Sequence, residues 1–462
     1  MLGLFSTLDL AKRSMQTQMT GVEVAGQNIA NVNTPGYSRQ RVDIATTADI
    51  ATTAGMQGTG AQAVRIQQIV SDLLNGQIQS NASDLGYQQG RQTALQSTQD
   101  MLGEILNSTN GTSSSGLSSQ LNNLFSAFQG LATSPNSASA RQTLLGAAQN
   151  VATSFNQISK HLSELNTSLN TSLTSDVNSA NKLLAQVTEL NKQIYTAEFS
   201  GGAANDLRDQ REQALENLSK LTDFTTGADS KGEITVTIGG QTLVNGAQQL
   251  DSLKTYDGGG GQLLVQTATG AVNLSLTRGT MQGTISARDN ELATMQTKLN
   301  SLAVHLSGAV NGIHNVGFSP SGTTGANFFN GISAATISVN PTLLDDPTLI
   351  QTSNGPSSDN SVALQLSQLA SSPQAGLSNE TFTDFYGSAL AGLGTALSDA
   401  NTQVTSQQAV TNMLTTQRGA ISGVNIDEEM TNLLTFQRSY AASAELLKTV
   451  DQMIQTTLGL KN

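Results

Sequence analysis

Apolar side chains recur at threes and fours through the first thirty residues. Met1, Phe5, Leu8, Lys12, Met15, Met19, Val22, Gly26 and Ile29 follow alternating steps of four and three, a heptad seam with two weak positions, Lys12 and Gly26. The pattern predicts one helix about 43 Å long at 1.5 Å per residue. It ends in Asn31-Val32-Asn33-Thr34-Pro35-Gly36-Tyr37, where Pro-Gly signals a turn. The far end of the chain answers it. Asn425 predicts an N-cap, with Glu428 at the capping-box position and Asp427 and Glu429 in the first turn. Met430, Leu434, Gln437, Ala441, Ala444, Leu447, Val450, Ile454 and Leu458 then recur almost to the end. Both stripes are narrower than the face a globular core takes.

The middle reads as helical over 71–110, 117–131 and 137–222, with Leu162, Leu165, Leu169 and Leu173 on one face and Leu183, Val187, Leu190 and Ile194 on another. Arg208-Asp209-Gln210-Arg211-Glu212 fits a solvated helix face carrying an Arg208/Glu212 pair. Strand-like alternation occurs at Arg41–Ile44 and Ala63–Ile66. Past Asp223 it returns in Glu233–Ile238, Gln262–Thr267 and Ala271–Leu276, separated by glycine turns. Helix resumes over 284–316. A Gly/Ser/Asn-rich stretch with a strand at Ala335–Val339 follows, then helices from about Asp359, long over 381–418. The order predicts a mainly α chain with an inserted small antiparallel β domain, paired N- and C-terminal coiled-coil-like helices, and a nested domain order. Residues 1–70 with 420–462 form a terminal helical domain, 71–222 with 285–419 a helical domain (part of 317–355 extended), and 223–284 a β-rich outer insert.

Composition narrows the classes. Charged residues are 12% of the 462, half the usual share of about 25%. With no Trp and 4% aromatics, the cores must be built from Leu, Ile, Val, Ala and Met. A net charge of −12 argues against a nucleic-acid partner, which needs a positive field to displace counterions. No stretch approaches the roughly 20 apolar residues of a membrane span. Cys is absent, which excludes disulfides, thiolate metal sites and a cysteine nucleophile. Asp9, Lys12 and Arg13 follow the first apolar residues instead of preceding them, so the expectation is a chain that stays in the cytosol or is exported without a cleaved signal.

Candidate chemistry is sparse. His305 and His314 are nine residues apart, not the spacing of a zinc helix, and with His161 they read as ordinary polar helix residues. Asp345-Asp346-Pro347 reads as a turn or helix start, Gly258 to Gly261 as a hairpin connection, and the Asn-x-Ser/Thr triplets as composition. No catalytic, metal or cofactor site is expected. The terminal seams carry more weight. Fully burying one Leu contributes about 1.5–3 kcal/mol, and fixing each residue's backbone costs about 1–2 kcal/mol. Two helices whose seams include Lys12, Gly26, Gln437 and small alanines should fray alone and gain order when neighbouring copies add apolar contact.

Gln27-Asn28-Ile29-Ala30-Asn31-Val32-Asn33-Thr34-Pro35-Gly36-Tyr37-Ser38-Arg39-Gln40 resembles the N-terminal signature of the bacterial flagellar axial proteins, the rod, hook and hook-associated subunits. The run from Ser422 to Leu460, with Gly423–Glu429 and Phe436–Ala444, resembles their C-terminal signature. Asn205–Glu212, Ala287-Arg288-Asp289, Asn311–Phe318 and Asn327-Phe328-Phe329 are similar to interior segments of the hook-associated branch. The resemblance implies a structural subunit of the hook–filament junction in the extracellular flagellum. Its terminal helices would line an axial channel, with the helical domain outside them and the β domain outermost. It further implies export unfolded through the flagellar type III channel, a cytoplasmic export chaperone at the C-terminal helix, a ring or tubular layer of identical copies, hook protein on one side and hook-associated protein 3 on the filament side. Assembly would then use Phe5, Leu8, Met15, Met19, Val22 and Ile29 at one end. At the other it would use Met430, Leu434, Ala441, Ala444, Leu447, Val450, Ile454 and Leu458. Asn28, Asn31, Thr34, Pro35, Gly36 and Tyr37 are the signature positions. Alternatives are another axial subunit such as hook protein, a secreted hydrolase carried on an axial stalk, and a cytosolic coiled-coil scaffold. The insert's lack of His and of paired acids weighs against the hydrolase.

Overall fold

The computed structural model describes residues 3–52, 55–102, 116–199, 201–228, 232–355 and 359–459. Met1 of the first seam, positions 103–110 of the first middle helix pattern and Leu460 lie outside these residues.

The first helix, α1 (Leu4–Ala30), stops where the sequence turns. Tyr37 N–H donates to Thr34 O at 3.2 Å, and Gly36 takes φ +81°, the left-handed position that glycine supplies after proline in a tight turn. Four strands follow: β1 (Gln40–Thr46), β2 (Ile50–Thr52), β3 (Gly55–Gln57) and β4 (Ala61–Gln68). Both strand-like runs of this region fall in β1 and β4, which pair antiparallel with Val42 opposite Ile66 and a bulge after Asp43. Helices α2 (Asp72–Leu102), α3 (Leu117–Thr133), α4 (Ala138–Phe199) and α5 (Asn205–Leu221) come next. At 62 residues, α4 is a rod of about 93 Å.

The insert carries β5 (Thr225–Ala228), β6 (Ile234–Ile238), β7 (Gln241–Asn245) and β8 (Gln248–Gln249) in one antiparallel sheet, order β5-β6-β7-β8. A hairpin of β9 (Leu253–Asp257) and β10 (Leu263–Thr267) follows, turned by Gly258 to Gly261. The expected strand at Ala271–Leu276 is absent. Ala271 sits at φ +50°, only Asn273 bridges to Gln266, and Leu274 and Leu276 fold down onto the insert's core. The chain returns to helix in α6 (Gly279–Ser286), a wide π turn (Ala287–Leu292) and α7 (Ala293–His314). The strand expected at Ala335–Val339 shortens to β12 (Ser338–Val339), paired with β11 (Phe329–Asn330), because the amides of Thr336 and Ile337 bond back to Ser333 O. Short α8 (Pro341–Asp345) and α9 (Ser361–Gln368) precede α10 (Phe382–Ser422) and α11 (Ile426–Gly459). The chain is therefore mainly α, with small antiparallel sheets inserted between helices and its two terminal helices paired.

Three apolar clusters hold the body. One gathers α3, the first part of α4, α7, α9 and the start of α10 around Phe128, Phe155, Phe328 and Phe382. A second joins Leu173 to Val187 of α4 and Leu215 and Leu218 of α5 to the inward residues of β6, β7, β9 and β10, so the sheet shares its core with the helices beneath it. A third is only Leu74, Ile78 and Leu414, with Val410 against them. Two of the family-like interior segments are internal ties. Arg288, 1% exposed, reaches Asn170 Oδ1 at 2.6 Å and Leu263 O at 2.7 Å, pinning β10 to α4. The Asn311 side chain accepts from the amides of Phe328 and Phe329 and donates to Phe329 O.

The histidines do not converge. His161 is exposed with Nδ1 3.1 Å from Met101 O, and His305 lies against Gly376. His314 is fully buried: Nδ1 donates to Ala326 O at 2.8 Å and Nε2 accepts from Gln351 N at 3.0 Å, which fixes a neutral tautomer. Asp346 accepts from Thr348 N and caps the turn after Pro347, as the dipeptide suggests.

Burial drives the His314 pKa down from 6.5 to about 4. Below the unfolded value the unfolded chain takes up a proton that the native ring refuses. Stability is therefore complete above pH 6.5 and falls as pH drops toward 4, by roughly 3 kcal/mol in all. Denaturant midpoints between pH 7 and 4.5 should fall more for the native chain than for His314→Gln; parallel curves would contradict this.

Candidate assembly interface

The two terminal helices run antiparallel, and one row of contacts recurs along the pair. Ser14 Oγ lies 2.8 Å from Ser443 Oγ, Gly21 faces the ring of Phe436, and Asn28 Nδ2 donates to Glu429 Oε2 at 3.0 Å. Each contact is seven residues from the next on both helices, so this row is the seam that the pair actually closes. Apart from the Phe436 ring it is made of small and polar groups. A Cβ at Gly21 would sit 2.7 Å from the Phe436 ring, so only glycine admits the aromatic here.

Both apolar seams otherwise stand one residue further along; Val450, seven residues past Ser443, continues the inward row. Met15, Val22 and Ile29 follow Ser14, Gly21 and Asn28; Met430 and Ala444 follow Glu429 and Ser443. One residue is about 100° of helix rotation. In an antiparallel pair these two rotations bring both rows to the same flank. The ribbon of β1 and β4 covers the opposite flank, where Thr17 donates to Ala61 O and Leu10 packs against Gly60. The apolar flank is thus left open in the single chain. Leu8, Met15, Val22, Ile29, Ala444, Leu447 and Ile454 are half-buried. Phe5 (76%), Met19 (49%), Met430 (46%), Leu434 (49%) and Leu458 (63%) are exposed, as is Ala441, and Val450 alone of the expected residues is buried.

The signature residues form a clamp at one end of this pair. Asn28 is fully buried with all four of its hydrogen bonds made: Oδ1 accepts from Tyr37 Oη (2.9 Å) and Gln40 N (3.0 Å), and Nδ2 donates to Gln40 O (2.8 Å) and Glu429. Arg39 grips Glu428 through both terminal nitrogens and Glu429 through Nε at 2.8 Å. Asn425 caps α11 as expected, at 3.0 Å from Asp427 N, but Glu428 serves Arg39 and not a capping box. Thr34 Oγ1 donates to Asn31 Oδ1, and Pro35 and Gly36 make the turn that returns Tyr37 to the helix.

The solvated face expected at Arg208–Glu212 is instead half of this clamp. Asp209 accepts from Ser38 N at 2.8 Å, and Asp206 accepts from Gln40 Nε2 at 2.8 Å and Gln27 Nε2 at 3.2 Å. Arg208 pairs with Glu198, not Glu212; Glu212 is half-buried and accepts from Gln79. Arg211 donates to Asn191 Oδ1 and Gly232 O. Burial, helped by Asp206, Asp209 and Glu429, pushes the Tyr37 hydroxyl up to about 12, so it stays a donor at any physiological pH. Burial likewise raises Asp209 and Glu212. Sequence patterning missed Ser14, Gly21, Phe436 and Ser443, whose only trace is their sevenfold spacing. It also missed Asp206 and Asp209, which charge alternation disguises as surface.

The comparisons agree with this architecture. Residues 102–329 match the model of the flagellar hook-associated protein FlgK helical domain, and 420–460 that of the flagellar basal body rod FlgEFG protein C-terminal region. The chain is 27% identical to flagellar hook-associated protein 1 of Bacillus subtilis, over 99% of this chain and 98% of that one. It is 22% identical to the Salmonella typhimurium protein of the same name, over 99% and 100%. The structure of the flagellar hook junction protein FlgK from Burkholderia pseudomallei superposes with a TM-score of 0.63 at 17% identity, covering 75% of this chain and all of that one. Paired termini closing on a nested helical body define a flagellar axial-type protein. Within that class, the chain belongs to the hook-associated protein 1 (FlgK) family.

Two outcomes follow. Asn28→Ala takes a partner from Gln40 N, Gln40 O, Tyr37 Oη and one Glu429 oxygen, a loss of about 3 kcal/mol, so the Gln40 amide should exchange with solvent roughly a hundredfold faster; an unchanged rate would show that the clamp contributes nothing. In the intact monomer, amide protection in α1 and α11 should fall steadily from the Asn28–Glu429 end toward Leu4 and Gly459. Uniform core-like protection along both helices would contradict the thinness of their contact.

Proposed function

We propose that this chain is a structural subunit of the hook–filament junction, placed there after export through the flagellar type III channel and assembled through its terminal helices. The open apolar flank carries the reading: a helix pair that turns Leu8, Met15, Val22 and Ile29 to the same side as Met430, Ala444 and Leu458 keeps those groups for neighbouring copies. On this reading the copies form a ring or tubular layer, with hook protein on one side, hook-associated protein 3 on the other, and an export chaperone holding α11 before export. A lack of cysteine and sparse charge suit passage of an unfolded chain through a narrow channel. The role is structural and not enzymatic: the buried acids and arginines that catalysis would draw on are engaged in ties within the chain.

In cells lacking the gene, hooks should remain and filaments be shed, and the intact gene should restore retention. Loss of hooks themselves would assign the chain to the hook instead. Met19→Lys or Leu434→Asp alters an exposed position, so monomer stability should change by less than about 0.5 kcal/mol. Filament retention should nevertheless fail, because each puts an unpaired charge into a packed flank. Normal filaments on either variant would refute assembly through this flank.

A further inference from the structure

The joint between the terminal unit and the helical body has no apolar core. None of the three apolar clusters includes a residue of α1, α11 or the β1–β4 ribbon, among the described residues. What spans the joint is polar: Ser38 N to Asp209, Gln40 and Gln27 to Asp206, and Asn205 Nδ2 to Gln40 Oε1 (3.1 Å) and Ile66 O (3.2 Å). Beside these contacts lies an open cleft of about 840 Å³, lined from one side by Tyr37, Arg65 and Gln67 and from the other by Gln79, Glu212 and Arg418.

The chain crosses this joint twice, between β4 and α2 and between α10 and α11, and both crossings are tied to one residue. Arg39 N donates to Ser422 O at 2.8 Å, and Ile69 N donates to Arg39 O at 2.8 Å. The Arg39 side chain meanwhile holds the first turn of α11. An interface held by hydrogen bonds can exchange them for water one at a time, whereas an apolar interface must expose its whole area at once.

We propose that this clamp is a releasable hinge: the paired terminal helices and the β1–β4 ribbon turn as one arm about the backbone of Arg39, and the first turn of α5, through Asn205, Asp206 and Asp209, sets the angle at which the arm is held. A subunit seated between two different neighbours would use such a joint to keep its helix pair in one lattice while its body follows another. The hinge rests on the joint's own contacts and holds wherever the chain sits in the flagellum.

The chain has no cysteine, so Thr435→Cys on α11 and Gln186→Cys on α4 admit two spin labels at chosen exposed sites. Pulsed electron resonance on this pair should give one narrow distance distribution. Adding Asp206→Ala and Asp209→Ala should raise a displaced population about tenfold or more, while amide protection of α4 over Val151–Leu165 stays as it was. A distribution unchanged by the double substitution overturns the hinge. So does a broad one before it, since the contacts then hold no angle. So does a loss of α4 protection, since the joint would then be part of the body's fold. Filament retention is a separate readout, so failure here leaves the junction reading standing.

Discussion

The structure depends on which face of each terminal helix is spent inside the chain. An antiparallel pair closed by Ser14, Gly21 and Asn28 against Ser443, Phe436 and Glu429 uses almost no large apolar surface. Had the pair closed on Met15, Val22 and Ile29, it would have been a stronger two-helix unit with nothing left to offer a neighbour. Glycine at position 21 sets the choice, because it lets one aromatic ring from α11 approach where any Cβ would block it.

A contact that thin needs a firm anchor, and the Asn28 network supplies it. A buried carboxamide with every hydrogen bond satisfied specifies one geometry and tolerates few others. Glu429, 3% exposed, is tolerable because Arg39 and Asn28 occupy its two oxygens. The anchor therefore does two things: it fixes the axial register of α1 against α11, and it ties both to the first turn of α5. The large apolar clusters lie elsewhere, under the sheet and between α3, α4, α7 and α10, so the body can hold its fold independently of what the termini meet.

Much of this was legible in the sequence. Heptad steps located both terminal helices, Pro35-Gly36 ended the first and Asn425 began the last. Period-two runs found β1, β4, β6 and β10. What patterning could not do was choose between two rows one residue apart. Counting apolar positions favours the rows that stay outside, since a seam of Ser, Gly and Asn carries no hydrophobic signal. The clamp was hidden for a related reason. Asp206, Asp209 and Glu212 alternate with arginines as a solvated face does, and only the tertiary paths of residues 38–40 and of α2 across α5 reveal that their partners are a backbone amide and glutamines. At Ala271–Leu276 a left-handed Ala271 broke an alternation that was otherwise strand-like.

Cysteine cross-linking in purified flagella tests the central claim most directly, because the native chain has no cysteine to interfere. A single cysteine at Met430 or Met15, on the open flank and carrying a thiol-attached photo-cross-linker, should link neighbouring copies in the organelle, since ring contacts do not set a residue against its own copy. The pair Ser14→Cys and Ser443→Cys should close within one chain in dilute solution. Open-flank cysteines that never link two copies, or Ser14 and Ser443 positions that link only between copies, would contradict the division of each helix into an inward polar row and an outward apolar one.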